Sequence, residues 1–450
     1  DENGLPLWNG NLKKLQIGDN VNGDKELQDV NGTSAIDIDG RVRRDALTLW
    51  SNSATLPTPS DDEVANKDGR AVARGGAGQQ IPGYDSGSPA LSNSTSGARQ
   101  LFTENPGNGS DNLMALNADA TTAAALWTEI TQNWSPAASN TTYAAASSAE
   151  KTKAVNILKF ARGLQDDGAT RRPWFMGDPL HSRPRPVNYG AQTGFSITNP
   201  DIRILMGTNG GFMHMFQNTN SAGVETGTEN WAFIPRAVIP LLDRLRTNTG
   251  AVPIHPIGVD GSPVTYVEDN DLDGTIESSD SDRVIVMFGL RRGGKAYYAL
   301  DITDPDAPKF KWKIEKGGAG TAYEQLAQSW STPNLGRLKV GGVEKAAFVI
   351  GGGYNGDDGG DNLGDLGKDA KNRATLAGTT PAVGVNDDEG NALFIGDLDT
   401  GSLIWKAIKG DSSYVFGTTT YSHPDMSDSF ADALVAIDAR GDGFFDRIYA

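Results

Sequence analysis

From about Arg171 onward, apolar and polar positions along the chain follow the patterns of strands. They either alternate with a period of two, as where one sheet face is buried, or run continuously apolar over a strand length, as where both are. RILMGTNGGFMHMF predicts two strands around a Gly210-Gly211 turn. SPVTYVED alternates at Val264, Tyr266 and Glu268, and the DRVIVMFGL beyond it is an unbroken apolar run. AAFVIGGGYN and ALVAIDARGDGFFDRIY predict further strands.

Two longer stretches repeat one another. YYALDITDPDAPKFKWKI sets Asp301 ahead of a turn and Trp312 on the next strand, and ALFIGDLDTGSLIWKAI does the same with Asp397, Gly401 and Trp405. An apolar strand, a glycine turn, a second strand, an Asp-led turn and a Trp-bearing strand together describe a propeller blade. Radial repetition of such blades protects sheet edges. A β-sandwich also uses many short strands, but the Asp–Trp repeat favours the propeller. The predicted fold class is mainly β, a β-propeller with helical and loop insertions. One insertion is a short helix at RAVIPLLDRLR, between Arg236 and Arg246.

Residues 1–165 read differently and are expected to form a loop-rich segment preceding the propeller of residues 166–450. NGNLKKLQI and AIDIDGRV have the look of short strands, and residues 53–112, rich in Gly, Ser, Asn and Pro, predict loop. Two helices follow. TTAAALWTEITQNW spaces Ala125, Trp127, Ile130 and Trp134 helically, and AEKTKAVNILKFARGL does so with Val155, Leu158 and Ala161, with Gly163 as its C-terminal stop. DRIYA breaks off inside a strand pattern and the first residue is Asp1, so the natural protein is expected to be longer than this chain.

The chemistry lies between two predicted strands, in Asp269-Asn-Asp-Leu-Asp-Gly-Thr-Ile-Glu277. A hard cation such as Ca²⁺ takes about six to eight oxygen ligands, which a short loop supplies only by curling around it. Alternate side chains then point inward, so Asp269, Asp271 and Asp273 are the first three candidate ligands. Gly274 permits the sharp turn, Thr275 offers its backbone carbonyl and Glu277 closes the set; Asp280 is a second candidate for closure. Helices would flank such a loop in an EF-hand, whereas strands flank this one. The plainer alternative is an acidic, solvated hairpin turn. Three aspartates at alternate positions repel unless a cation neutralises them, which favours one bound Ca²⁺. Mg²⁺ suits the loop less because it dehydrates reluctantly.

Composition narrows the remaining classes. A net charge of −17 and a sequence pI near 4.7 make nucleic acid and anionic membrane surfaces poor partners. The 450 residues include 55 Gly and no Cys, which fits a loop-rich β protein and removes thiolate zinc sites, disulfides and cysteine nucleophiles. No apolar run is long enough to span a membrane as a helix. His181, His214, His255 and His423 are scattered without metal-ligand spacing, and no GxSxG elbow is present. GGGYNGDDGG lacks the lysine of a phosphate-binding loop.

Five ordered motifs carry a family resemblance: RRPWFMGDPLHSRPRPV, MGTNGGFMHMF, FGLRRGGKAYYALDITDP, AQSWSTP and GGGYN. With WNGNLKKL and AIDIDGRV upstream, the chain resembles the C-terminal β-propeller region of the PilY/PilC family, the type IV pilus tip-associated adhesins and biogenesis factors of Gram-negative bacteria. The resemblance implies an exported, non-enzymatic protein at the pilus tip, the cell surface or the outer membrane. It implies roles in the balance of pilus extension and retraction, in twitching motility, in adhesion and in virulence. Minor pilins and host-cell surface receptors are the implied partners. It also implies one Ca²⁺ held by Asp269, Asp271, Asp273, Thr275 and Glu277, since members carry a nine-residue loop of this kind. The metal-site motif of the von Willebrand A-like domain found in many members is not matched here.

ALDITDP and GDLDTGSLIW also resemble the blade repeat of pyrroloquinoline-quinone dehydrogenases, which are calcium-dependent propellers. The alternative function is therefore a quinoprotein-type dehydrogenase, although a chain without cysteine cannot build the vicinal disulfide that many of those enzymes place over the cofactor. Finally, Asp438-Ala-Arg-Gly-Asp-Gly-Phe-Phe-Asp446 repeats the calcium spacing but puts Arg440 at the third position. That loop is expected to bind no cation, with Arg440 pairing with Asp438 and Asp446 instead. It also spells Arg440-Gly441-Asp442, the tripeptide displayed by integrin-binding proteins.

Overall fold

The computed structural model describes residues 8–60, 63–105, 113–134, 137–247, 255–318, 320–354, 389–410, 415–416, 419–426 and 429–450. In chain order its elements begin with β1 (Gln16–Asp19), β2 (Lys25–Gln28), α1 (Gly76–Gln79), β3 (Leu101–Glu104) and β4 (Leu113–Ala115). Then come α2 (Ala120–Ala125), α3 (Trp127–Thr131), α4 (Ser148–Ala161), β5 (Arg185–Asn188), β6 (Ile202–Gly207), β7 (Met213–Gln217), β8 (Glu229–Phe233) and α5 (Leu242–Thr247). The remainder is β: β9 (Val264–Glu268), β10 (Arg283–Gly289), β11 (Ala296–Asp301), β12 (Lys309–Glu315), β13 (Asn334–Val340), β14 (Val343–Gly351), β15 (Ala392–Asp397) and β16 (Leu403–Lys409). Last are β17 (Val415–Phe416), β18 (Thr420–His423), β19 (Val435–Ile437) and β20 (Arg447–Tyr449).

Three four-stranded meanders organise these strands: β5–β8, β9–β12 and β13–β16. β3 extends the first by pairing parallel to β8, with Leu101 opposite Ala232. β18 extends the third by pairing parallel to β16. The chain divides into two compact units, one formed by residues 1–103, 114–179 and 186–253, the other by residues 104–113, 180–185 and 254–450. The core of the first gathers Trp50, Tyr84, Trp174, Phe175, Met206 and Phe216. In the second, the meanders β9–β12 and β13–β16 share one core around Met287, Tyr297, Trp312, Phe348 and Phe394.

The Asp–Trp repeat has a backbone cause. In each meander the fourth strand carries one extra residue immediately before a tryptophan. Met215 faces Trp231 but Phe216 faces Glu229; Ala299 faces Trp312 but Leu300 faces Phe310; Ile395 faces Trp405 but Gly396 faces Leu403. Such a bulge bends the strand and re-aims the side chain after it. Trp312 uses that aim to donate its indole N–H to the Leu398 carbonyl at 2.8 Å. Gly401, at φ +71°, lies so close that an added Cβ would sit 2.9 Å from the Trp312 ring. The Asp-led turns are Asx turns: Asp301 accepts from the Thr303 N–H, and Asp397 from those of Asp399 and Thr400.

Several expectations hold and several need correction. The helix over the AEKTKAVNILKFARGL stretch is α4, opened by a capping box between Ser147 and Glu150 and followed by Gly163 at φ +107°. RAVIPLLDRLR forms a 3-10 turn over Arg236–Leu241 that continues into α5. The helix expected over TTAAALWTEITQNW breaks at Leu126 into α2 and α3 and stops before Trp134, because Leu126 leaves helical geometry at φ −110°, ψ 17°. AIDIDGRV is a turn closed by the bridge Ile36–Val42, with the Asp37 carboxylate accepting from the N–H groups of Asp39 and Arg41. Only the end of NGNLKKLQI enters a strand, β1. The expected loop over 53–112 contains α1 and β3. Most of GGGYNGDDGG lies outside the described residues.

Candidate metal centre

β9 and β10 pair antiparallel with Arg283 opposite Glu268, so residues 269–282 form the connection between them. This matches the strand–loop–strand arrangement read from the sequence. Two buried groups hold the connection. Asp282 is 4% exposed, and its carboxylate accepts from the Asn270 N–H at 2.7 Å and the Glu277 N–H at 3.1 Å, so one side chain ties both limbs of the loop. Ile276, also buried, anchors the return limb. Arg283 joins Glu268 at the loop's base and Asp399 in the Asp-led turn of the next meander, each at 2.5 Å.

Within that frame the aspartates bend the backbone around themselves. Asp269 accepts from the N–H groups of Leu272 and Gly274, Asp271 from Asp273, and Asp273 from Thr275. Leu272 at φ +62° and Gly274 at φ +83° supply the left-handed residues such a tight curl requires. A non-glycine in this region is uncommon, and Leu272 is 84% exposed, so packing does not hold it there. The outcome is that carboxylate oxygens of Asp269, Asp271 and Asp273 all lie within 4.8 Å of one another. Two oxygens on one Ca²⁺ at about 2.4 Å can stand no more than about 5 Å apart, so the three are within span of a single ion. An all-oxygen donor set of this kind suits a hard cation.

Glu277 is not part of that trio. Slight desolvation and the negative charges of Asp280, Asp273 and Asp271 raise its pKa. Asp271 is raised as well: the Asp273 N–H pulls it down, but desolvation and the charges of Asp273 and Asp280 outweigh that pull. The loop thus concentrates negative charge that its own hydrogen bonds do not offset. Thr275 sits at the turn's exit, its N–H already given to Asp273.

The 438–446 loop is the internal control. Asp438 accepts from the N–H groups of Arg440, Gly441, Asp442 and Gly443, and these bonds, led by Gly443, lower its pKa. Arg440 Nε stands 3.4 Å from Asp446. The expected pairing with Asp446 is present, whereas Asp438 spends its oxygens on backbone N–H groups rather than on the guanidinium.

Sequence reasoning missed Asp282 and Arg283. Position gave a signal for both: a charged pair directly ahead of the apolar run of β10 has to be buried with it or partnered at its edge.

The comparisons follow the same boundaries. The family model of the PilY1 β-propeller domain matches residues 185–446, which include all three meanders and both acidic loops. The chain belongs to the PilY1 β-propeller domain family. The type IV pilus biogenesis factor PilY1 of Pseudomonas aeruginosa is 28% identical over 309 residues, 64% of this chain and 22% of that protein. A PilY1 homologue of Xylella fastidiosa is 28% identical over 178 residues, 37% of this chain and 13% of its own length. The chain therefore spans about a fifth or less of the curated relatives it matches. The crystal structure of the Pseudomonas aeruginosa PilY1 C-terminal domain aligns with a TM-score of 0.31 and 25% identity, over 55% of this chain and 36% of that one. Among the described residues no helix is long and apolar enough to cross a membrane.

Proposed function

We propose that this chain is the calcium-binding propeller portion of a type IV pilus biogenesis factor, exported and carried at the pilus tip or cell surface. The observation that carries the reading is the gathering of Asp269, Asp271 and Asp273 within 4.8 Å in a strand-to-strand loop of a PilY1-family propeller. One Ca²⁺ held there, with Thr275 and Glu277 or Asp280 completing its shell, would neutralise the crowded carboxylates and stabilise the loop by mass action. Without it the carboxylates repel and the loop loosens. Through that switch the site would act on pilus extension and retraction, twitching motility and adhesion. Minor pilins are the proposed partners on the bacterial side and surface receptors on the host side.

The test is genetic. Bacteria carrying Asp273→Ala in the full-length protein, at unchanged protein level, are expected to differ from wild type in surface piliation and twitching. Unchanged piliation and twitching would overturn the switch. The proposal is also non-enzymatic: the chain supplied with pyrroloquinoline quinone, Ca²⁺ and an alcohol should reduce no dye, and alcohol-dependent turnover would establish the dehydrogenase instead.

A further inference from the structure

A cavity of about 400 Å³ lies in the first unit, remote in sequence from the acidic loops. That volume falls in the range of small-molecule sites, about 300–1,000 Å³. Its walls are largely apolar: Trp8, Phe160, Trp174, Phe212, Leu242 and Leu245.

One cation among the lining residues is uncompensated. Arg172 lies with its guanidinium 3.9 Å from the Phe160 ring centre and donates to the Phe160 carbonyl at 3.2 Å. A guanidinium has five N–H donors, so most of its capacity is unused by that bond. Among the described residues no carboxylate pairs with it. The other charges nearby are already matched: Asp166 is held by Arg246 at 2.5 Å, and Arg99 by Glu229. Arg172 is half-buried, its guanidinium forming part of the cavity wall. A guanidinium with spare N–H donors and no carboxylate partner, set in an apolar wall, is a ready seat for an anion.

We propose that this cavity binds a small amphiphilic carboxylate, its two oxygens on the Arg172 guanidinium and its apolar body against the tryptophan, phenylalanine and leucine walls. Planar guanidinium and carboxylate meet through two parallel hydrogen bonds, which fixes the ligand's orientation. A free acid and the C-terminus of a short peptide share this chemistry.

The experiment is calorimetric titration of the 450-residue chain with 4-phenylbutyrate and, separately, with an acetylated peptide ending in phenylalanine. Each is paired with its neutral amide. Saturable binding of the free acid alone assigns a metabolite-type ligand, and binding of the peptide assigns a chain terminus; either supports the site. The amides and the variant Arg172→Met should bind at least about tenfold more weakly. Failure of both acids to bind, equal binding of acid and amide, or equal binding by Arg172→Met would overturn the proposal.

Discussion

The decisive residue in the acidic connection is one that touches no ion. Asp282 ties Asn270 and Glu277 together and so sets the curl that brings Asp269, Asp271 and Asp273 into one group. Replacing it by Asn keeps the volume but leaves only one acceptor oxygen for the two N–H groups that its carboxylate ties, a loss of about 1 kcal/mol. The expected outcome for Asp282→Asn is lower thermal stability and weaker Ca²⁺ binding, although every candidate ligand is intact. Unchanged calcium affinity in that variant would show that the loop curls without its pin. Arg440 sets the contrast between the two loops, because a guanidinium has no lone pair to give a cation. Arg440→Asp should create a second, weaker Ca²⁺ site, read as a change from one to two ions per chain in a titration. It would also remove the Arg440-Gly441-Asp442 tripeptide, so an integrin-binding signal present in wild type and lost in this variant would give that tripeptide a function.

At the level of elements, the sequence was most legible where one strand face or both are buried. β10 reads as an apolar run because Val284 through Phe288 are all buried, and β11 and β15 carry the Asp-led turns that announced a blade. The third copy of the tryptophan repeat, Trp231 on β8, went unread because its turn is not Asp-led; the bulge that unites Trp231, Trp312 and Trp405 appears only in the register. Leu126 likewise leaves the helical pattern intact in sequence and breaks it in space. β3 was lost in a polar stretch because its partner, β8, is 130 residues away by the measure of the Arg99–Glu229 pair. That pair anchors a buried cluster. Glu229 accepts both prongs of Arg99, and His214 Nδ1 lies 2.6 Å from the same carboxylate, with its Nε2 3.1 Å from the Thr208 hydroxyl. Burial pushes Glu229 up, but Arg99 and His214 hold it down at about 2, so the carboxylate's charge is matched by Arg99 and the imidazole stays neutral. Burial lowers the His214 pKa below its ordinary value, despite the carboxylate beside it. The unfolded chain then binds a proton that the folded one refuses. The stabilisation is complete above the unfolded value of about 6.5 and is lost as pH falls through the window below it. The stability gap between wild type and His214→Gln, measured by denaturant titration, should therefore narrow from pH 7.5 to pH 5.5. A gap that widens on acidification would mean that His214 is charged in the fold.

Across the whole molecule, the fold gathers three carboxylates in one strand-to-strand loop and, at another, gives Asp438 to backbone N–H groups and sets Arg440 beside Asp446. The spacing of Asp269, Asp271 and Asp273 was readable because alternate positions on a curled loop face one centre, and the structure brings those three together. Closure was not readable, because Glu277 and Asp280 stand close to one another and neither joins the trio. The central claim is that the 269–277 loop holds one Ca²⁺, in the micromolar range of sensor sites. Isothermal calorimetry of the chain and its Asp273→Ala variant tests it most directly. The account predicts one Ca²⁺ bound per wild-type chain and no measurable binding in Asp273→Ala; an unchanged affinity in the variant, or no binding in wild type, would contradict it.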